Sequence, residues 1–175
     1  TCHFCKPVLA LVRFLKLNFI MNIQDIHEQV KKQRELRFRD NQQLSLGEFI
    51  KELESVDLKM EHNGEVKEVE FDFGTAFPTQ LDSWRGSYDE IALGYKMSGY
   101  DNNSEHFANT KADKLLEHLK EAVGKEYEGY KGGDFTMDKN TPVWVANYGH
   151  SGNTGVVGVL DAGYKLVIIT AYCEY

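Results

Sequence analysis

"SLGEFIKELESVDLKMEHNGEVKEVEFDF" (residues 45–73) changes its hydrophobic period partway along, and that change decides the fold class. Over its first half, Leu46, Phe49, Ile50, Leu53 and Val56 recur at the spacing that places side chains on one face of an α-helix. Ser45 precedes them with Glu48 three positions on, so each can satisfy the other's backbone N–H as a capping box. The helix is expected to stop near Asp57, before "MEHNGE", where Asn63-Gly64 can supply the positive φ of a tight turn. Toward its end the period falls to two. Val69, Phe71 and Phe73 face one side while Glu68, Glu70 and Asp72 face the other, the pattern of a half-buried strand.

The flanks extend both patterns. Residues 22–42 are polar and helix-prone, with a thin apolar stripe of Ile23, Ile26, Val30 and Phe38, which predicts a peripheral helix docked loosely. After Phe73 comes an expected loop, Gly74–Gly86, and then "YDEIALGY" (88–95) as a second strand. "SGYDNNSEHFANT" (98–110) has the composition of a surface loop. Thr110 is placed to cap a helix whose buried stripe is Leu115, Leu116, Leu119, Ala122 and Val123, with Gly124 closing it. Strand and turn follow in "GGDFTMD", "TPVWVANYG", "TGVVGVLDAG" and "YKLVIITAY", punctuated by Gly152-Asn153 and Ala162-Gly163. The expected class is α+β, a mostly antiparallel β-sheet with two or three helices packed on one face. Residues 21–44 form the peripheral polar helix and 45–175 a single domain.

The totals narrow the function classes. The 175 residues fit one domain, and a net charge of −7 argues against direct nucleic-acid binding, which needs clustered cations. Three cysteines are too few for a disulfide scaffold, and Cys2 and Cys5 in "TCHFCK" would supply only half of a tetrahedral zinc site. Residues 7–20 are apolar but broken by Arg13 and Lys16, shorter than a membrane span. The expectation for 1–20 is an untranslated or disordered N-terminal extension, with Met21 as the start and no membrane anchor.

Three segments gather side chains suited to binding. The first is Asp82, Trp84, Arg85 and Tyr88, where flat rings and a planar guanidinium suit stacking and anion capture. Its plainer reading is an Arg85–Asp pair under aromatics that lid the sheet. The second is "GYKGGDFTM" (129–137), in which Lys131 and Asp134 flank two glycines that could cradle a phosphate or simply turn the chain. The third is "WVANYGHSGNTG" (144–155), which crowds Asn147, Tyr148 and His150 toward a hairpin tip, solvated in its plainer reading. Ser151 beside His150 makes no triad, and no Gly-x-Ser-x-Gly elbow is present. Asp72, Asp82, Asp89 and Asp134 are hard oxygen donors that a divalent cation would accept, but no spacing demands one. No catalytic residue, cofactor or metal is assigned.

The succession "FDFG…P…L.SWRGSYDEIALGY", "AVGKEYEGYKGGDFTM" and "TPVWVANYG…GNTGVVGV", ending in an apolar strand, resembles a family of small uncharacterised proteins of tailed phages and prophages. The similarity runs from about residue 46 to 172. The "DNNSEHF" loop and the polar helix before Leu46 depart from it. The resemblance implies an accessory protein of the host-cell cytoplasm and brings no activity with it. The expected function is non-catalytic binding of a small anionic or nucleotide-like ligand, or of a host protein. The alternatives are a small metal-assisted hydrolase acting on a nucleotide or phosphoester through Asp82, Asp134 or His150, and a homo-oligomer subunit with the aromatic loop as its interface.

Overall fold

The computed structural model describes residues 21–39, 43–74, 76–82, 91–97, 110–128, 133–145 and 154–173. Among them are three helices, α1 (Ile23–Arg39), α2 (Leu46–Ser55) and α3 (Ala112–Ala122). The strands are β1 (Glu68–Phe71), β2 (Ala76–Asp82), β3 (Ile91–Met97), β4 (Glu126–Glu128), β5 (Asp134–Thr136), β6 (Val143–Val145), β7 (Thr154–Asp161) and β8 (Lys165–Tyr172). β4 and β5 pair alone. The others form one sheet in the order β1-β8-β7-β6-β3-β2. β2–β3, β6–β7 and β7–β8 are antiparallel, while β1–β8 and β3–β6 are parallel. The class is α+β as expected, with the sheet mixed rather than uniformly antiparallel.

The period change at 45–73 is realised. Ser45 Oγ accepts the Glu48 N–H while Glu48 Oε2 accepts the Ser45 N–H at 2.9 Å, so the capping box starts α2. Leu46, Phe49, Ile50 and Leu53 are buried. Gly64 takes φ 72°, as the turn requires. β1 then alternates, with Val69 and Phe71 enclosed. Phe73, expected in the core beside them, follows the strand's end and is 41% exposed, its ring stacked on Phe71 at 5.0 Å.

Two expectations fail for identifiable reasons. Gly74–Gly86 is not wholly loop, because β2 occupies Ala76–Asp82. Pro78 argues against a central strand, but β2 is the sheet's edge, where a residue without an N–H is tolerated, and the register shifts beyond it. Thr110 does not cap α3. Its hydroxyl donates to the Pro78 carbonyl, and Lys111 stands at the N-cap without a side-chain bond. The segment 110–112 also closes the free edge of β1, through Val69 N–H to the Thr110 carbonyl and Ala112 N–H to the Lys67 carbonyl.

The two faces of the sheet are covered differently. α2 and α3 pack on one face, over Val69, Phe71, Val156, Val159, Leu166 and Ile168. α1 lies on the other, where Met21, Ile26 and Val30 meet Val157, Leu160, Val167 and Ile169. One extra residue in β7 between Val156 and Gly158 lets Val156 and Val159 share a face although three apart, and Glu52 on α2 accepts the Val159 N–H at 3.0 Å. Chain from α1 passes to α2 beside the point where β6 and β7 part. There the Leu44 N–H donates to the Val156 carbonyl and the Leu44 carbonyl accepts the Val143 N–H. A side chain at Gly155 would come within 3.0 Å of the Gln43 and Cys173 side chains, which would have to shift to admit it. Lys67 is enclosed and reaches both Asp161 oxygens at 2.8 Å, tying the start of β1 to the β7–β8 turn. In that turn Gly163 has φ 87°.

Candidate functional site

α1 runs along the sheet from the β7–β8 turn, where the Met21 N–H donates to the Ala162 carbonyl, to the opposite end of β8. Ile26, Val30 and Arg34 fall four residues apart, so Arg34 continues the buried stripe with a charge. Its Nη2 lies 2.6 Å from Asp72 Oδ2. Asp72 sits one residue beyond the last β1–β8 pair, Phe71 and Ile168, and its carboxylate extends the ladder sideways. Oδ2 accepts the Thr170 N–H at 2.9 Å and Oδ1 accepts the Thr170 hydroxyl at 2.7 Å. The Asp72 side chain is 0% exposed and that of Arg34 45%. A carboxylate so enclosed needs its charge matched and its lone pairs filled, and these three bonds do both.

Above this network opens a cleft of about 380 Å³, lined by Arg34, Phe73, Val145, Thr154, Thr170, Ala171 and Tyr172. It lies where β6 and β8 end, β7 begins and the chain leaves β1. Phe73 and Tyr172 (59% exposed) are two of the exposed large apolar side chains among the described residues. A guanidinium, two aromatic rings and the Thr154 hydroxyl at one mouth can hold a flat polar molecule by stacking and by directed hydrogen bonds.

A second hollow of about 260 Å³ includes Glu68, Glu70, Lys111 and Lys165. Both of its lysines are paired within it, Lys111 with Glu68 at 3.2 Å and Lys165 with Glu70, and Glu65 also lines it. Burial draws the Lys165 ammonium down, but the hydrogen bond and charge of Glu70, with Tyr164 adding, outweigh it and leave the group above its ordinary value. This hollow reads as structural.

Of the residues singled out in the sequence, Trp84, Arg85, Tyr88, Lys131, Asn147, Tyr148 and His150 lie outside the described residues, as does Asp89. Asp82 ends β2 opposite Ala92, with its side chain outside the description. Asp134 is exposed in β5, opposite Glu128, in the small sheet. Asp72, considered as a cation ligand, instead holds Thr170 and Arg34. Among the described residues no three His, Cys, Asp or Glu side chains gather as a metal site would require. Among them, too, no helix is long and apolar enough to cross a membrane.

Sequence reasoning missed the cleft, though three signals pointed to it. They are an arginine in phase with an apolar helical stripe, a threonine inside the run "LVIITAY", and a strand that ends on an aromatic pair. The segment 146–153, with Asn147, Tyr148 and His150, joins two residues that line the cleft, Val145 and Thr154. No known family model matches the chain, and no curated protein or solved structure matches it.

Proposed function

We propose that this is a non-catalytic binding protein that takes a small anionic or nucleotide-like ligand in the cleft at the end of the sheet. The observation that carries the proposal is the placement of Arg34, half exposed and held by an enclosed Asp72, beside Phe73 and Tyr172. A cation fixed by a buried partner keeps its orientation before a ligand arrives, which lowers the ordering cost of binding. The accessory role in the cytoplasm of a phage-infected host follows from the sequence resemblance and belongs to the same proposal. Asp82, Trp84, Arg85, Tyr88, Lys131, Asp134, Asn147, Tyr148 and His150 form the second candidate set, reached from sequence alone.

Calorimetry against a nucleotide panel tests the proposal, with Arg34→Ala, Tyr172→Ala and Trp84→Ala beside the unaltered chain. Heats lost in the first two variants and kept in the third support the cleft. Loss in Trp84→Ala alone moves the site to the loop. The same weak heats throughout would sink the small-ligand reading in favour of a host-protein partner. Turnover of phosphoesters that disappears in Asp134→Asn would replace it with the hydrolase.

A further inference from the structure

We infer that the cleft accepts a planar ring compound of the nucleoside class carrying at most one phosphate, and rejects polyphosphates. The inference rests on the binding role proposed above and narrows it.

Charge comes first. Among the described residues that line the cleft, Arg34 is the one cation, and no lysine or glycine stands with it. Polyphosphate sites are built differently, from several cations or from a run of glycine N–H donors around the oxygens. Moreover, the Arg34 charge is already shared. Asp72 lies 2.6 Å away with its side chain wholly enclosed, so the pair presents little net charge to the mouth. What Arg34 retains is its geometry, because a guanidinium has more N–H donors than one carboxylate oxygen can occupy. A triphosphate would bring several negative charges to a cation already compensated by Asp72, on a protein whose net charge is −7. A single acidic group, or a neutral carbonyl edge, fits what is offered.

Shape points the same way. Phe73 and Tyr172 can stack on a ring whatever its charge. Thr154 and Tyr172 bring hydroxyls that donate or accept, the complement of a heterocycle's edge or a sugar. The volume of about 380 Å³ is near the low end for ligand sites, enough for a ring and a sugar and small for a dinucleotide.

The experiment is equilibrium dialysis of the full chain, at fixed ionic strength and without divalent cations, against adenosine, adenosine monophosphate and adenosine triphosphate, and against the uridine series. The nucleoside or monophosphate of one series is expected to bind about tenfold tighter than its triphosphate, a difference easily resolved. Tightest binding by the triphosphate overturns the charge limit and leaves the binding role standing. Retention of none of the six overturns both. Asp72→Asn provides a second test. It removes the charge that Arg34 shares, while its amide oxygen can still accept from Thr170. Monophosphate affinity should rise severalfold against nucleoside affinity, with a melting curve to confirm folding. No change in that ratio in a folded variant counts against the inference. If the variant does not fold, Arg34→Gln takes its place. It should weaken the monophosphate about tenfold and leave the nucleoside nearly unchanged, because it removes one charge-assisted bond. Equal losses for both would overturn the assignment.

Discussion

The two faces of the sheet show two ways to cover an apolar surface, and they do not contribute equally. On the α2 and α3 face, Leu46, Phe49, Leu53, Leu115 and Leu119 are all at 0% exposure and meet a β1 that offers Val69 and Phe71. On the α1 face, one helix brings Met21, Ile26 and Val30, and the chain turns Glu70 of β1 and Asp72 just past its end the same way. There the cover is completed by ion pairs, Arg34 with Asp72 and Lys165 with Glu70. A deep apolar face fixes the fold. A face closed partly by charges leaves room, and the cleft lies at its end.

The largest test of that inequality is Phe49→Ala. Phe49 is wholly enclosed between α2 and the sheet, and truncating such a ring is expected to cost about 3–5 kcal/mol. Denaturant unfolding with an unchanged slope would read it directly. Val30→Ala on the opposite face removes two buried methyl groups at 6% exposure and should cost about 1–2 kcal/mol. A Val30→Ala loss as large as that of Phe49→Ala would break the comparison, because the thin face would then be as cooperative as the deep one. A loss near zero would sharpen it, making α1 an element that unfolds on its own.

The deep face was legible in the sequence and the cleft was not, for one physical reason. Ser45, Glu48, Phe49 and Leu53 act within a few residues of each other, so spacing reveals the capped helix, and the period-two run reveals β1. The cleft is assembled from Arg34, Asp72, Val145, Thr154 and Thr170, residues that only the strand order brings together. The parallel β1–β8 pairing sets Asp72 beside Thr170, 98 positions away, and no local pattern announces it. Arg34 stands among the many polar residues of α1, although it falls in register with Ile26 and Val30. β2 was hidden by Pro78, which reads as a loop unless the strand is known to be an edge. Asp82 and Asp134 drew attention as acids, but their strands belong to different sheets.

The smallest expected effect concerns the charges that close the thin face. Lys165 pairs with Glu70 where β8 starts, and its ammonium stands above the ordinary lysine value. A cation whose folded-state value is raised stabilises the native protein fully below its unfolded value, about pH 10.4, and loses that contribution as pH climbs through the raised one. Other lysines and the tyrosines titrate over the same range, so the alkaline slope of the unaltered chain alone decides nothing. The difference between that chain and Lys165→Met isolates the pair. Exposed groups such as Lys114, which is also raised by Glu117, cancel in the subtraction. Unfolding free energies measured from pH 8 to 11 should differ by a constant amount at the lower end and converge at the upper. A gap that stays constant throughout would mean that Lys165 contributes by the packing of its stem rather than by its charge. The thin face would then be held by apolar contact after all, and the contrast between the two faces would be one of extent rather than of kind.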